Sequence, residues 1–170
     1  MVVQASTGFD IATFVDSSGD DVYTAAPGNA SMSGVGFAFS ASGFDQCHGQ
    51  STFGGNDVAR LFDSAGDDQL SARLALVEFA GKGFRNTAAG FANVSVFASS
   101  GGDDTAQFES LRKDDLVSGR GRTAQTQRGR EAVSATNFDR ILAAALDQEL
   151  FSSDVSAVDF LYEQIGGKKF

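Results

Sequence analysis

The chain has 170 residues, enough for one domain with its own core and too few for a second full one. Twenty-two acidic against 13 basic residues give a net charge of -9, which disfavours nucleic acid and anionic membrane surfaces, and no stretch reaches the roughly 18 apolar residues of a membrane span. A single cysteine excludes an internal disulfide and a cysteine-cluster zinc site, and a single histidine excludes a multi-histidine site; calcium, which takes oxygen ligands, is the metal this composition leaves open.

The first ten residues lack the charged-then-apolar pattern of an export signal, so such a signal is expected outside this sequence. Gly8-Phe9-Asp10 is the first of a series of Gly-x-Asp turns, in which glycine supplies a positive φ and aspartate bonds nearby backbone. Alternation then predicts a strand with Ala12 and Phe14 inward and Thr13 outward. Phe14-Val15-Asp16-Ser17-Ser18-Gly19-Asp20-Asp21 leads into a second strand with Tyr23 inward, and Gly43-Phe44-Asp45 into one that places Phe44 and Cys47 on an apolar side. His48, the neighbour of Cys47, must face the other way, so the two do not form a nucleophile and base.

At Leu61 the series begins again. Leu61-Phe62-Asp63-Ser64-Ala65-Gly66-Asp67-Asp68 repeats the octet at a distance of 47 residues, and the same step carries Gly34, Gly36 and Phe37 onto Gly81, Gly83 and Phe84, and Gly54, Gly55 and Asp57 onto Gly101, Gly102 and Asp104. We refer to residues 47 apart as repeat-mates. The inward sets are Ala12/Ala59/Ala106, Phe14/Leu61/Phe108, Tyr23/Leu70/Val117, Phe44/Phe91/Phe138 and Cys47/Val94/Ile141, and the outward set is Thr13/Arg60/Gln107. The third copy decays: Asp67 and Asp68 map to Asp114 and Asp115, but Gly66, Gly81 and Gly83 become Lys113, Arg128 and Arg130.

Residues 1–151 therefore form the repeat domain, and residues 152–170 depart from it. In that last segment Ser153 or Asp154 could cap a helix with Val155, Val158, Leu161, Tyr162 and Ile165 on one face, read as a cap. The stretch from Phe138 to Leu150 fits strand by alignment and helix by spacing. The whole predicts an all-β parallel β-helix or β-solenoid of about seven coils, each of 23 or 24 residues, with repeat-mates stacked over one another. A β-trefoil or a propeller fragment is the closed alternative, disfavoured because closure demands equivalent copies.

The Gly-x-Asp-x-apolar units, best in Gly19-Asp20-Asp21-Val22-Tyr23 and Gly66-Asp67-Asp68-Gln69-Leu70, resemble the second half of haemolysin-type (RTX-like) nonapeptide repeats. That resemblance implies a parallel β-roll with calcium between turns, although no unit recurs every nine residues and the leading glycines are mostly Ser or Ala. The Leu61–Asp68 phrase is also similar to tandem repeats of very large exported bacterial proteins, which implies a secreted or cell-surface module and no particular activity.

Two candidate sites follow. Asp16, Asp20, Asp21, Asp63, Asp67, Asp68, Asp103 and Asp104 are candidate calcium ligands, since clustered carboxylates repel without a cation; the alternative is that they only form turns. Arg120, Arg122, Arg128 and Arg130, from a basic stretch between Arg112 and Arg140, could hold an acidic or sulfated polysaccharide, or merely neutralise local Asp. No acid/base constellation converges, so the expectation is a non-catalytic structural or binding module, with polysaccharide lyase chemistry as the runner-up.

Overall fold

A computed structural model describes residues 1–146, 150–166 and 168–169. Its strands are β1 (Val2–Gln4), β2 (Ile11–Val15), β3 (Val22–Ala26), β4 (Asn29–Gly34), β5 (Phe37–Ser42), β6 (Gln46–Gln50), β7 (Val58–Phe62), β8 (Gln69–Arg73), β9 (Leu76–Gly81) and β10 (Phe84–Ala89). They continue as β11 (Asn93–Phe97), β12 (Thr105–Leu111), β13 (Leu116–Gly121), β14 (Thr123–Arg128), β15 (Glu131–Thr136), β16 (Arg140–Ala145), β17 (Ser152–Val158), β18 (Leu161–Ile165) and β19 (Lys168–Lys169). There is no helix among the described residues.

The strands build two sheets. One has the order β1-β5-β4-β3-β7-β11-β15-β14-β13-β17-β19, the other β18-β16-β12-β8-β9-β10-β6-β2. The chain crosses from one sheet to the other and back, so the fold is a parallel β-solenoid, as the turn spacing predicts, and both ends are open, unlike a trefoil or a closed propeller. It makes about four turns instead of seven. The difference comes from antiparallel meanders, β3-β4-β5, β8-β9-β10 and β13-β14-β15, which the glycine-rich hairpins allow and which fold back to fill the sheet behind them. Residues spent on a meander do not advance the coil. The parallel step between layers is accordingly 35 residues for Ile11↔Gln46 and Val58↔Asn93, and 36 for Val22↔Val58 and Gln69↔Thr105.

One repeat contains a meander in one sheet, a strand in the other, and a strand back in the first. The next repeat consequently starts in the opposite sheet: the first and third meanders lie in the larger sheet and the second in the smaller. Repeat-mates alternate between sheets and do not stack, which corrects the expectation of layered like residues. Cys47 lies beside Ala12 and Asn86, and Val94 beside Ala59 and Val133. The inward assignment itself holds. Phe14, Tyr23, Ala59, Leu61, Leu70, Phe91, Val94, Ala106, Phe108, Val117, Phe138 and Ile141 are all buried in one core. Aromatic rings there meet across the two sheets and around the corners: Phe14 with Tyr23 at 5.7 Å, Tyr23 with Phe91 at 5.8 Å, and Phe79 with Phe138 at 5.7 Å between centroids.

The C-terminal helix does not form. Residues 152–158 and 161–165 are strands because β13 and β16 present parallel edges to them, with Leu116↔Ser152 and Arg140↔Leu161 in register, and pairing of those edges outweighs an amphipathic helical pattern. The first half of the ambiguous Phe138–Leu150 stretch is strand β16, and residues 147–149 lie outside the described set.

Candidate functional site: the carboxylate corners

Each coil turns between the sheets at a corner built from aspartates, and each corner is tied to its neighbour. The Asp16 carboxylate accepts the backbone N–H groups of Thr52 at 2.9 Å and Phe53 at 3.0 Å, one layer on. Asp21 accepts the N–H of Ser17, and its own N–H donates at 2.8 Å to Asp57 Oδ1, whose second oxygen takes the Ser51 hydroxyl at 2.7 Å. Asp16, Asp21 and Asp57 are all buried, each with an oxygen within 4.8 Å of the others. The second repeat reproduces this on the opposite sheet: Asp63 accepts Ser100 N–H at 2.6 Å, Asp68 accepts Ser64 N–H at 2.6 Å, and Asp68 N–H donates to Asp104 Oδ1 at 2.8 Å.

The outer aspartates behave differently. Asp20 and Asp67 are exposed, and each accepts a backbone N–H from the next layer, that of Asn56 or Asp103, at 2.8 and 2.9 Å. Asp103 is exposed and outside the buried trio. Of the eight aspartates singled out by sequence, the structure thus brings Asp16 with Asp21, and Asp63 with Asp68 and Asp104, while Asp20 and Asp67 serve as outer pegs and Asp103 lends only its backbone N–H. Asp57 completes the first trio and was missed, although the signal was present: it is the repeat-mate of Asp104.

Glycines make these corners geometrically possible. A Cβ at Gly55 would lie 2.2 Å from Gly19 O, and one at Gly102 2.3 Å from Gly66 O, so the recurring Gly-Gly pair lets one layer press its backbone onto the next. At Gly34 and Gly81 a Cβ would sit 1.7 Å from Asp21 Oδ1 or Asp68 Oδ1. The third copy solves the same problem with opposite chemistry. Arg128 replaces the glycine and its guanidinium binds the fully buried Asp115 carboxylate through Nε and Nη2, at 2.5 and 2.6 Å. That hydrogen bond raises the pKa of Arg128 above its usual value.

The four arginines do not form one fork. Arg120 and Arg122 flank the β13–β14 turn and Arg128 and Arg130 the β14–β15 turn, at opposite ends of β14; six residues at about 3.3 Å each separate the two pairs by roughly 20 Å. Arg120 is paired with Asp154 at 3.0 Å, Arg122 Nε donates to Asn137 Oδ1 at 2.8 Å, and Arg128 holds Asp115.

Among the perturbed groups, Asp104 carries the clearest consequence. Burial first, and then Asp68, Asp63 and Asp139 nearby, push its pKa up to about 6 against the lowering hydrogen bond from Asp68 N–H. Ala98 stands where the first repeat has Ser51, so no hydroxyl serves its second oxygen as one serves Asp57. The folded state therefore binds this proton more tightly than an unfolded Asp of pKa about 3.9, and the Asp104 contribution to stability is lost as pH rises through the window from about 4 to about 6. Asp104→Asn keeps the acceptor for Asp68 N–H and removes the charge. It is expected to raise the melting temperature by about 2–4 °C at pH 7.5 and to leave it unchanged at pH 4. An equal shift at both pH values in a calorimetric scan would refute this.

Cys47 and His48 point opposite ways as expected: Cys47 is buried, its thiol pushed up to about 11 by burial, while His48 on the outer face bonds Thr87 Oγ1 at 2.7 Å and is lowered by burial and by Arg85. Tyr23 is likewise raised by burial in the core. No protein-family model, curated protein or solved structure matches this chain.

Proposed function

We propose that the chain is a non-catalytic structural or binding repeat module, serving a large secreted or cell-surface protein as a rigid two-sheet spacer or surface. One observation carries this reading: the polar residues that recur through the repeats are committed to bonds between layers. Asp16, Asp63, Asp57, Asp104, Asp20 and Asp67 each accept backbone N–H groups from a neighbouring layer. Each such bond ties one corner to the next and fixes the stacking register. Lyase chemistry needs an available base in a groove, whereas Arg120 and Arg128 are held by carboxylates.

A second reading, calcium bound at the corner, is favoured by the buried Asp16, Asp21 and Asp57 trio, whose oxygen spacing suits a cation with six to eight oxygen ligands at about 2.3–2.6 Å. Hydrogen exchange separates the two. If the layers lock themselves, the amides of Thr52, Phe53, Asp68 and Ser100 exchange only with global unfolding, in calcium and in chelator alike. Protection that collapses on chelation supports calcium, and rapid exchange under both conditions refutes the spacer reading.

A further inference from the structure

The two ends of the solenoid differ, and the N-terminal end leaves its core uncovered. Along the inward row Tyr23-Met32-Phe39-Met1 of the larger sheet, exposure climbs from 0% at Tyr23 and Met32 to 41% at Phe39 and 77% at Met1. In the parallel row Ala30-Ala41-Val3 it goes from 5% to 40%. Met1, Val3, Ile11, Phe14, Val15 and Phe39 line an open groove of about 510 Å3 between β1 and β2.

A polar signal lies at the same edge. Asp10 is the repeat-mate of Asp57 and Asp104, whose carboxylates accept the N–H of Asp21 and Asp68 from the preceding layer. Among the described residues no layer precedes Asp10, and its Oδ2 is shielded from solvent with no hydrogen-bond partner. A shielded acceptor left unmatched is destabilising, so this end is both apolar and short of one donor.

The geometry points to a second copy of this chain as the occupant, seated tail onto head, with β18 of one molecule pairing in parallel with β2 of the next. Three observations select the tail over another head. First, β2 and β18 are the two edges of the smaller sheet and run in the same direction, since two antiparallel steps through β9 restore the polarity. Translation along the stack therefore continues the parallel ladder. Second, the internal register carries over. Successive pairings across the smaller sheet put Ile11 and Leu161 at one level, so a translated copy sets its Ile11 beside Leu161 and its Thr13 beside Glu163. Phe160 precedes Leu161 as Asp68 precedes Gln69 at the same level, so its backbone N–H stands where Asp10 needs a donor.

Third, charge opposes head-on pairing. Residues 1–59 carry Asp10, Asp16, Asp20, Asp21, Asp45 and Asp57 with no Lys or Arg, whereas residues 112–170 carry nine acidic and nine basic side chains. Two heads would bring like charges together. A head-to-tail contact is heterologous and does not close, so it grows filaments.

Disulfide trapping tests this. Cys47 is fully buried, and Thr13 and Glu163 are exposed, so Thr13→Cys and Glu163→Cys chains each carry one accessible thiol on an intact fold, verified by their melting curves. Exposed Lys82→Cys on the β9–β10 turn reports random collision. Under mild oxidation the mixture of the two is expected to give a heterodimer several-fold above the collision control, each alone to give no more than that control, and the double variant to give a ladder of oligomers. Adding Asp10→Ala to the head chain should lower the heterodimer yield. Ile11→Cys with Leu161→Cys, opposite one another in the same register and both exposed, provides a second pair. Dimers of the Thr13→Cys or the Glu163→Cys chain alone, or no heterodimer from either pair, overturn the proposal.

Discussion

Gly81→Ala is expected to be among the most damaging single-methyl changes in this protein, and Gly81→Arg, despite its bulk, to be the milder of the two. The added Cβ falls 1.7 Å from Asp68 Oδ1 and 2.7 Å from a ring carbon of Phe84. Asp68 is fully buried and holds the corner through Ser64 and Asp104, so either the carboxylate moves and loses those bonds or the hairpin moves away. Overpacking costs about 1–3 kcal/mol and a buried polar group deprived of its partner a similar amount, so a loss of about 3 kcal/mol or more follows for alanine. Arginine displaces the carboxylate too, but supplies a bidentate partner, as Arg128 does for Asp115 at the equivalent place. Urea denaturation of the two variants decides the matter: equal or greater loss for arginine removes the claim that the third copy exchanged a close approach for an ion pair.

The second large effect concerns the core. Phe79→Ala and Phe138→Ala are each expected to cost about 3–5 kcal/mol, because both side chains are buried and truncation leaves a cavity. Their double-mutant cycle should show a coupling of about 0.5–1.5 kcal/mol, since the rings lie 5.7 Å apart in a tilted arrangement. Phe91→Ala with Phe138→Ala should be additive within about 0.5 kcal/mol. Those two phenylalanines are repeat-mates, and simple stacking of equivalent positions would couple them; here Phe91 packs against Tyr23 instead. Coupling between Phe91 and Phe138 with none between Phe79 and Phe138 would contradict the alternating topology.

The Asp16 and Asp63 corners make the same point. They are repeat-mates with the same chemistry, each binding the backbone of the next layer, yet Asp16 follows β2 in the smaller sheet and Asp63 follows β7 in the larger. Reading the carboxylates from sequence named Asp16 and Asp21 of the buried trio but not Asp57. It did not show which ones meet, because Asp57 approaches Asp21 only through a layer step of 36 residues, a distance that appears nowhere in the 47-residue spacing. The arginine group is the opposite case. Arg120 and Arg128 are close in sequence and in composition, and a single six-residue strand puts them at opposite edges.

What the sequence determined by itself was local. Alternation assigned the inward faces of Ala59, Leu61, Leu70, Phe108 and Ile141, the Gly-Asp turns marked the corners, and the recurrence implied a solenoid, because each of these depends on neighbours a few residues away. The tertiary structure decided how many strands each repeat spends in one sheet before crossing. That choice rests on hairpin closure at Pro27-Gly28, Gly36 and Gly83 competing with a crossover, and on edges such as β13 that draw residues 152–158 into strand. An odd number of crossings per repeat exchanges the sheets, and this exchange set the turn number, the residues that lie over one another and the composition of every buried carboxylate cluster.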